Sequence, residues 1–426
     1  MGVLLAAGAS SWEPAALDAL SAGSHAVLVK RCLDLPDLLA SAATGTAQVA
    51  VVSDELRGLD ADSLDRLARQ GIRTVAVVSA VPAGRRDAEE HLSSRARLLR
   101  MGAAAVIDEG AVAALAQHVH ETAQQQVPAQ DAPAAAARTG DGRTVPTGAP
   151  HEAPTAPRTS GAGAVVAVWG ATGAPGRTTV AIGLAAEAAA AGGTGVMLVD
   201  ADPYGGAVGQ HLAVLDEVSG LLAAARLANA GQLDPARLAG LAREVAPRLR
   251  LLTGLPRPDR WVEVRPQALV EVIAAARALD QRVVVDTGFG LPSTPLDPFA
   301  AGPDRDEITM TVLEQADQVV VVGSADPVGL TRLVRALRDL AEVRAPGADV
   351  VTVNRMRGSL GWSTREIGDL VAQVAPGARL AFLPDDRIAV DRALVSGRTL
   401  VESGDSPLRR AMAELASLLP QTVSSR

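Results

Sequence analysis

The feature that most narrows what this chain can fold into is residues 164–191, AVVAVWGATGAPGRTTVAIGLAAEAAAA. Six apolar residues, Ala164–Trp169, read as a buried strand. A turn carrying Gly170, Gly173 and Gly176 follows, then a helix predicted over Val180–Ala191. A strand that passes through glycines directly into a helix is the opening unit of a parallel α/β sheet. Gly173 and Gly176 let the backbone curl and aim N–H groups at an anion, and the helix start adds its positive end. The turn therefore predicts a phosphate site. The plainer alternative is a tight turn without a ligand.

Further apolar runs continue the pattern at Val196–Val199, Arg282–Val285, Gln318–Val322 and Val350–Val353, with helices predicted over Pro266–Leu279 and Val328–Val343. Strands without polar alternation, joined by helical crossovers, predict a mainly parallel sheet covered on both faces. The N-terminal half repeats the logic on a smaller scale. Strands are predicted at Val3–Ala6, Ala26–Lys30, Ala47–Ser53, Thr74–Ser79 and Ala104–Asp108, with amphipathic stretches such as Asp60–Gln70 and His91–Met101 between them. That is a doubly wound α/β fold. Between the halves, residues 121–163 are dominated by Pro, Ala, Gly, Thr and Gln without apolar periodicity, and read as a disordered linker. The organisation expected is 1–120, linker 121–163, and 164–426.

Composition closes off several classes. Aromatics are 2% of 426 residues, which argues against stacking single-stranded nucleic acid, and the net charge of −8 gives no global attraction to polyanions, although a local basic patch stays open and nucleic acid is not excluded. A single cysteine, Cys32, excludes a disulfide framework and CxxC zinc sites. The first residues lack a basic segment ahead of their apolar stretch, and no uncharged apolar run is long enough to span a bilayer. A cytoplasmic protein is expected. Lys30 is the only lysine.

Two phosphate ligands compete for the turn. Gly170, Gly173 and Gly176 fit a GxxGxxG dinucleotide pattern, with Asp200 at the end of the second strand to bind a ribose. A Tyr–Lys catalytic pair of the short-chain dehydrogenase kind is impossible, since the only tyrosine is Tyr204 and the only lysine is Lys30. The turn also continues Arg177-Thr178-Thr179, where a P-loop places its cation and its magnesium-binding hydroxyl.

The series GATGAPGRTT, LVDADPYGG, VVVDTG and VTVNR resembles the MinD/ParA family of deviant Walker A ATPases. The order of a receiver-like half, a linker and an ATPase half is similar to the CpaE/TadZ branch associated with pilus assembly and to actinobacterial septum-site-determining relatives. The N-terminal half resembles a response-regulator receiver, with Ser53 where the phospho-accepting Asp would sit, Ala6-Ala7-Gly8 where paired acids would be, and Ile107-Asp108 where a Lys would be. That implies a pseudo-receiver without phosphotransfer. In the ATPase half the resemblance implies ATP and Mg2+ as cofactors. Gly173, Ala174 and Gly176 then shape the loop, with Arg177, Thr178 and Thr179 along the phosphates. Thr178, Asp286 and Asp200 serve the magnesium, and Asp202 positions the attacking water. Asn354 reads the adenine edge, and Pro384 packs near the base.

The chain departs from the family pattern GKGGxGKTT. Ala171 and Ala174 replace glycines, Thr172 replaces the signature lysine that crosses a dimer interface, and Arg177 replaces the Walker lysine. Arginine's planar fork is not a compact ammonium. Retained ATP binding with weak or absent hydrolysis is expected, with Asp202 and Arg177 as the catalytic candidates. The Pro-rich stretch 290–308 lies where such proteins keep a nucleotide-sensitive switch; a disordered insertion is the equal alternative. Arg332, Arg335 and Arg338 recur on one helical face, read as solvated because Asp339 and Glu342 dilute it. The C-terminal helix, Leu408–Leu419, carries no basic membrane tail.

The resemblance implies a nucleotide-responsive positioning protein for Tad/Flp-type pilus or secretion machinery, forming an ATP-dependent homodimer. Its partners would be a motor ATPase or polar and division proteins, which would recruit it to a pole, a septum or the inner membrane face. The alternatives are a septum or partition regulator, a scaffold that binds no nucleotide, and a dinucleotide-binding protein.

Overall fold

The computed structural model describes residues 1–8, 10–22, 26–79, 94–124, 163–173, 175–193, 195–214, 218–279, 282–291, 304–344 and 349–419. The chain divides into two compact units, one comprising residues 1–59 and 66–160, the other 60–65 and 161–426. The segment read as a linker lies outside the described residues from 125 to 162, as does the Pro-rich stretch from 292 to 303.

The first unit contains β1 (Gly2–Ala6), α1 (Glu13–Ala22), β2 (Val27–Arg31), α2 (Leu35–Ala42) and β3 (Val49–Ser53). In chain order α3 (Ala61–Arg69), β4 (Arg73–Val78), α4 (94–100), β5 (Ala105–Asp108) and α5 (Leu115–Gln124) follow. The sheet is wholly parallel in the order β2-β1-β3-β4-β5, the flavodoxin-like doubly wound arrangement expected. β1 and β3 are Val- and Leu-rich and buried, whereas β2 is an edge strand with Val27 and Val29 exposed. Residues 121–124 form the last turn of α5, and Thr122 there is buried.

The second unit opens with β6 (Ala164–Trp169), α6 (Arg177–Ala191), β7 (Val196–Ala201), α7 (Val208–His211), α8 (Gly220–Asn229) and α9 (Pro235–Leu241). A hairpin, β8 (Arg243–Ala246) and β9 (Leu249–Leu252), precedes α10 (Pro266–Leu279) and β10 (Arg282–Thr287). The chain continues through α11 (Asp306–Gln315), β11 (Gln318–Ser324), α12 (Pro327–Val343) and β12 (Val350–Met356). It closes with α13 (Thr364–Ala372), β13 (Arg379–Pro384), α14 (Arg387–Ser396) and α15 (Pro407–Ser417).

The eight strands run in the order β13-β12-β11-β6-β10-β7-β9-β8, parallel except for β8. Alternate residues of β6 enter different cores. Val165, Ala167 and Trp169 face the layer of α8, α10 and α12, and Val166 and Val168 face α6 and α15. Helix α6 is buried from Val180 to Ala189 because its side chains are small enough for the sheet and α15 to close on it, with Met412 set against Gly183. β10 lies between β6 and β7. A dinucleotide-binding sheet places its first two strands side by side, so the strand order overturns that alternative and gives a P-loop architecture. No helix among the described residues is long and apolar enough to cross a membrane.

Candidate functional site

The glycine turn leaves β6 at the C-terminal edge of the sheet, where open α/β folds bind ligands. Gly173 and Gly176 have φ of 102° and 99°, which a side chain would oppose. Gly176 is the residue before the first turn of α6 and has no side-chain cap, so the turn's free N–H groups are open to an anion. The helix begins at Arg177 rather than Val180 because the φ of Gly176 sets the junction. Ala174 lies outside the described residues.

Thr178, on that first turn, donates from Oγ1 to Asp286 Oδ2 at 2.7 Å. Asp286 and Asp200 occupy paired positions on β10 and β7, each 1% exposed. Burial raises both carboxyls, Asp286 well above the ordinary carboxylate range and Asp200 to about 7. The neighbouring Asp200 adds to the rise at Asp286, while the Thr178 hydroxyl opposes it. Asp200 is partly satisfied, accepting from Val208 N–H at 3.1 Å and Asp202 N–H at 3.4 Å. Its carboxylate also fills the space a Cβ on Gly254 would need, 2.5 Å from Cγ. Asp286 Oδ1 is buried with no hydrogen-bond partner.

That orphaned oxygen beside a hydroxyl is a hard donor pair of the kind magnesium takes. No group of three or more His, Cys, Asp or Glu side chains able to hold a metal occurs among the described residues. The site therefore fits magnesium that arrives with phosphate oxygens completing its shell, and not a stand-alone ion. Asp202 follows at the mouth of β7 and accepts at Oδ1 from Tyr204 N–H at 2.9 Å.

Arg177 turns beneath the loop. Its Nη1 donates to the carbonyls of Ala171 at 3.1 Å and Gly170 at 3.3 Å, and its Nε to Thr287 at 3.3 Å. The guanidinium also lies over the Phe289 ring, 5.8 Å from its centroid. Asn354 donates from Nδ2 to the Pro175 carbonyl and accepts at Oδ1 from Arg355 N–H, both at 2.8 Å. Both ends of its amide are thus engaged in bracing the loop. Asn354, Thr179 and Pro384 nevertheless line one cavity of about 240 Å³ with Gly176, Asp386 and Met412. Asp386 Oδ2 there is buried without a partner.

The sequence reading missed the groups beyond the acids. Tyr204 stacks on Phe289 at 4.6 Å between centroids and donates to Asp306 Oδ1 at 2.6 Å. Burial, then that hydrogen bond, pushes its phenol up to about 12. Arg305 lies over both Tyr204, at 5.0 Å, and Trp261, at 5.4 Å. In a chain this poor in aromatics, the lone tyrosine beside the acidic run was the available signal. In the first unit, Ser53 is fully buried and its Oγ accepts from Ser10 Oγ at 2.9 Å and Glu55 N–H at 3.2 Å.

No protein-family model and no curated protein sequence matches the chain. Solved structures do. It is similar to a ParA family ATPase from Chlorobium tepidum TLS, at 20% identity and a TM-score of 0.50, over 61% of this chain and 100% of that one. It is also similar to the cell division ATPase MinD of Pyrococcus furiosus, at 20% identity and a TM-score of 0.47, over 60% and 98%. A third is the septum site-determining protein MinD of Pyrococcus horikoshii OT3, complexed with Mg-ADP, at 19% identity and a TM-score of 0.46, over 59% and 94%. The first of these likenesses speaks for the fold alone: the second unit has the P-loop architecture of a ParA family ATPase.

Proposed function

We propose that the second unit binds ATP with magnesium across the glycine turn, and that the protein uses this binding to position or assemble a partner machine in the manner of MinD/ParA-type ATPases. The observation that carries the reading is the Thr178 hydroxyl on the buried Asp286 carboxylate, 2.7 Å apart at the foot of a turn with open N–H groups. Magnesium bound there would neutralise charge on the β- and γ-phosphates. Thr178 and Asp286 would hold it, with Asp200 behind them fixing the chain around Val208. Asp202 would orient water. The adenine would occupy the cavity between Asn354 and Pro384, with Asp386 Oδ2 accepting from its exocyclic amine.

Hydrolysis is proposed to be slow. Arg177 already serves three backbone carbonyls, so reaching a transferring phosphoryl group would mean leaving them. The first unit is proposed as a partner-recruiting pseudo-receiver, because Ser53 is closed off by Ser10. By resemblance the machine is a Tad/Flp-type pilus or secretion system with its motor ATPase, and an ATP-bound homodimer is the active form. Recruitment to a pole or septum would then run through partners.

A fluorescent ATP analogue titrated into the full chain with Mg2+ tests the reading, with ATP, GTP and NADH as competitors. Displacement by ATP is expected. Displacement by NADH alone, or no binding, overturns it. Steady-state phosphate release should be slow, rise in Arg177→Lys, and vanish in Asp202→Ala while binding persists.

A further inference from the structure

Arg332 was read from the sequence as one of several arginines on a solvated helical face. The fold leaves it exposed, as that reading expects, and also sets it beside the glycine turn. Helix α12 starts beside the glycine turn, and the Arg332 guanidinium rests on Gly173: a Cβ on that glycine would run into Nη1. Arg332 makes no hydrogen bond or ion pair among the described residues. Arg332 also borders an outer groove of about 570 Å³ with Thr172, and its helix neighbour Arg335 lines that groove with Asp339 and Glu342.

Besides that groove, two smaller cavities border the turn. One, of about 240 Å³, meets Gly176 and carries the base-side residues. The other, of about 130 Å³, is formed by Thr172, Gly173, Pro175, Gly329 and Arg332 with other residues, and Arg355 lines both. A ligand with its base in the first and its phosphates along the turn ends in the second, under Arg332. Asp326 borders that second cavity. Its carboxylate is held at the start of α12 by Ser324 Oγ at 2.5 Å and Gly329 N–H at 2.9 Å. The loop itself offers no cation at this end, because position 172 is threonine and Arg177 is turned under the backbone.

We infer that Arg332 is the cation for the terminal phosphate, a residue of the same chain that makes the site select a nucleoside triphosphate over a diphosphate. This rests on the nucleotide reading above and adds to it the group that reads phosphate number. A guanidinium suits that task because its fork can give two hydrogen bonds to one phosphate. Gly173 is needed twice, for its φ and for the room it leaves the guanidinium.

The test compares fluorescent ATP and ADP analogues with Mg2+ on the full chain. Wild type should prefer ATP. Arg332→Gln should weaken ATP by about tenfold and ADP by less than about twofold, as expected for loss of a charge-assisted bond to the last phosphate. Arg332→Lys should keep most of the preference, and Thr172→Lys in the Arg332→Gln background should restore it from the loop side. Arg335→Ala, in the outer groove, should change neither. Circular dichroism and melting of each variant confirm folding. A wild type that binds neither nucleotide overturns the nucleotide reading, and this inference with it. A wild type that binds ATP, with an unchanged ATP-to-ADP ratio in Arg332→Gln, overturns this inference alone.

Discussion

Neutralising Asp286 should make the nucleotide-free protein more stable while ruining its site. β7 and β10 are neighbouring parallel strands with Asp200 and Asp286 at paired positions. Adjacent strands lie about 4.8 Å apart. Two full charges at that spacing repel by about 3.5 kcal/mol at an effective dielectric of ~20. The pair retains protons near neutrality, so the relief on neutralising one is less than that, about 1–3 kcal/mol. Asp286→Asn keeps the acceptor for Thr178, so the hydrogen bond at 2.7 Å survives in kind. For folds of this size 1 kcal/mol moves Tm by about 2–4 °C, which sets the expected rise at about 2–12 °C.

The gain should depend on pH. Burial raises Asp200 to about 7. The folded state therefore binds more protons than the unfolded one from roughly pH 4 to 7, and wild-type stability falls as pH rises through that window. At pH 8 with EDTA, Asp286→Asn should melt higher than wild type. At pH 5 the difference should nearly vanish. With Mg2+ and ATP the order should reverse, since only wild type gains ligand stabilisation. Intrinsic tryptophan fluorescence follows the transition, as Trp169, Trp261 and Trp362 belong to the second unit. A fall of several degrees at pH 8 without ligand refutes the reasoning.

Asn354→Ala frees the Pro175 carbonyl and should cost about 1–2 kcal/mol by urea unfolding, with weaker ATP binding because the turn loses its brace. Acetyl phosphate should not label residues 1–120, since Ser53 is buried and bonded to Ser10; a stable aspartyl phosphate there, seen by mass spectrometry, contradicts the pseudo-receiver reading.

The strands of both sheets were legible because they are unbroken Val-, Ala- and Leu-rich runs, the pattern of strands buried on both faces. The edge strand β13, only half-buried, was not, and neither was the hairpin β8–β9. Its Arg243–Ala246 strand is short, half charged and exposed, and the turn into Leu249–Leu252 depends on Arg248 at a φ of 63°. The positions of Thr178 and Asp286 were legible because one follows Gly176 into a helix and the other ends an apolar strand before Gly288. What a side chain does once there was harder to read. The Asn354 bond to Pro175 spans 179 residues and the Tyr204 bond to Asp306 spans 102. Such contacts follow from strand order, and nothing local reveals that β10 slides between β6 and β7. Arg332 is exposed as read, but its place beside the turn was hidden for the same reason. Its spacing with Arg335 and Arg338 is that of a solvated face, and only the bare Cα of Gly173 lets one of the three reach the turn.

The central claim is that Thr178 and Asp286 hold a divalent ion brought by a nucleotide. Mn2+ electron paramagnetic resonance on the full chain tests it most directly. One Mn2+ immobilised per chain is expected only when ATP is present, and none in Asp286→Asn or Thr178→Val. ATP bound equally well without metal, or Mn2+ immobilised equally in both variants, contradicts it.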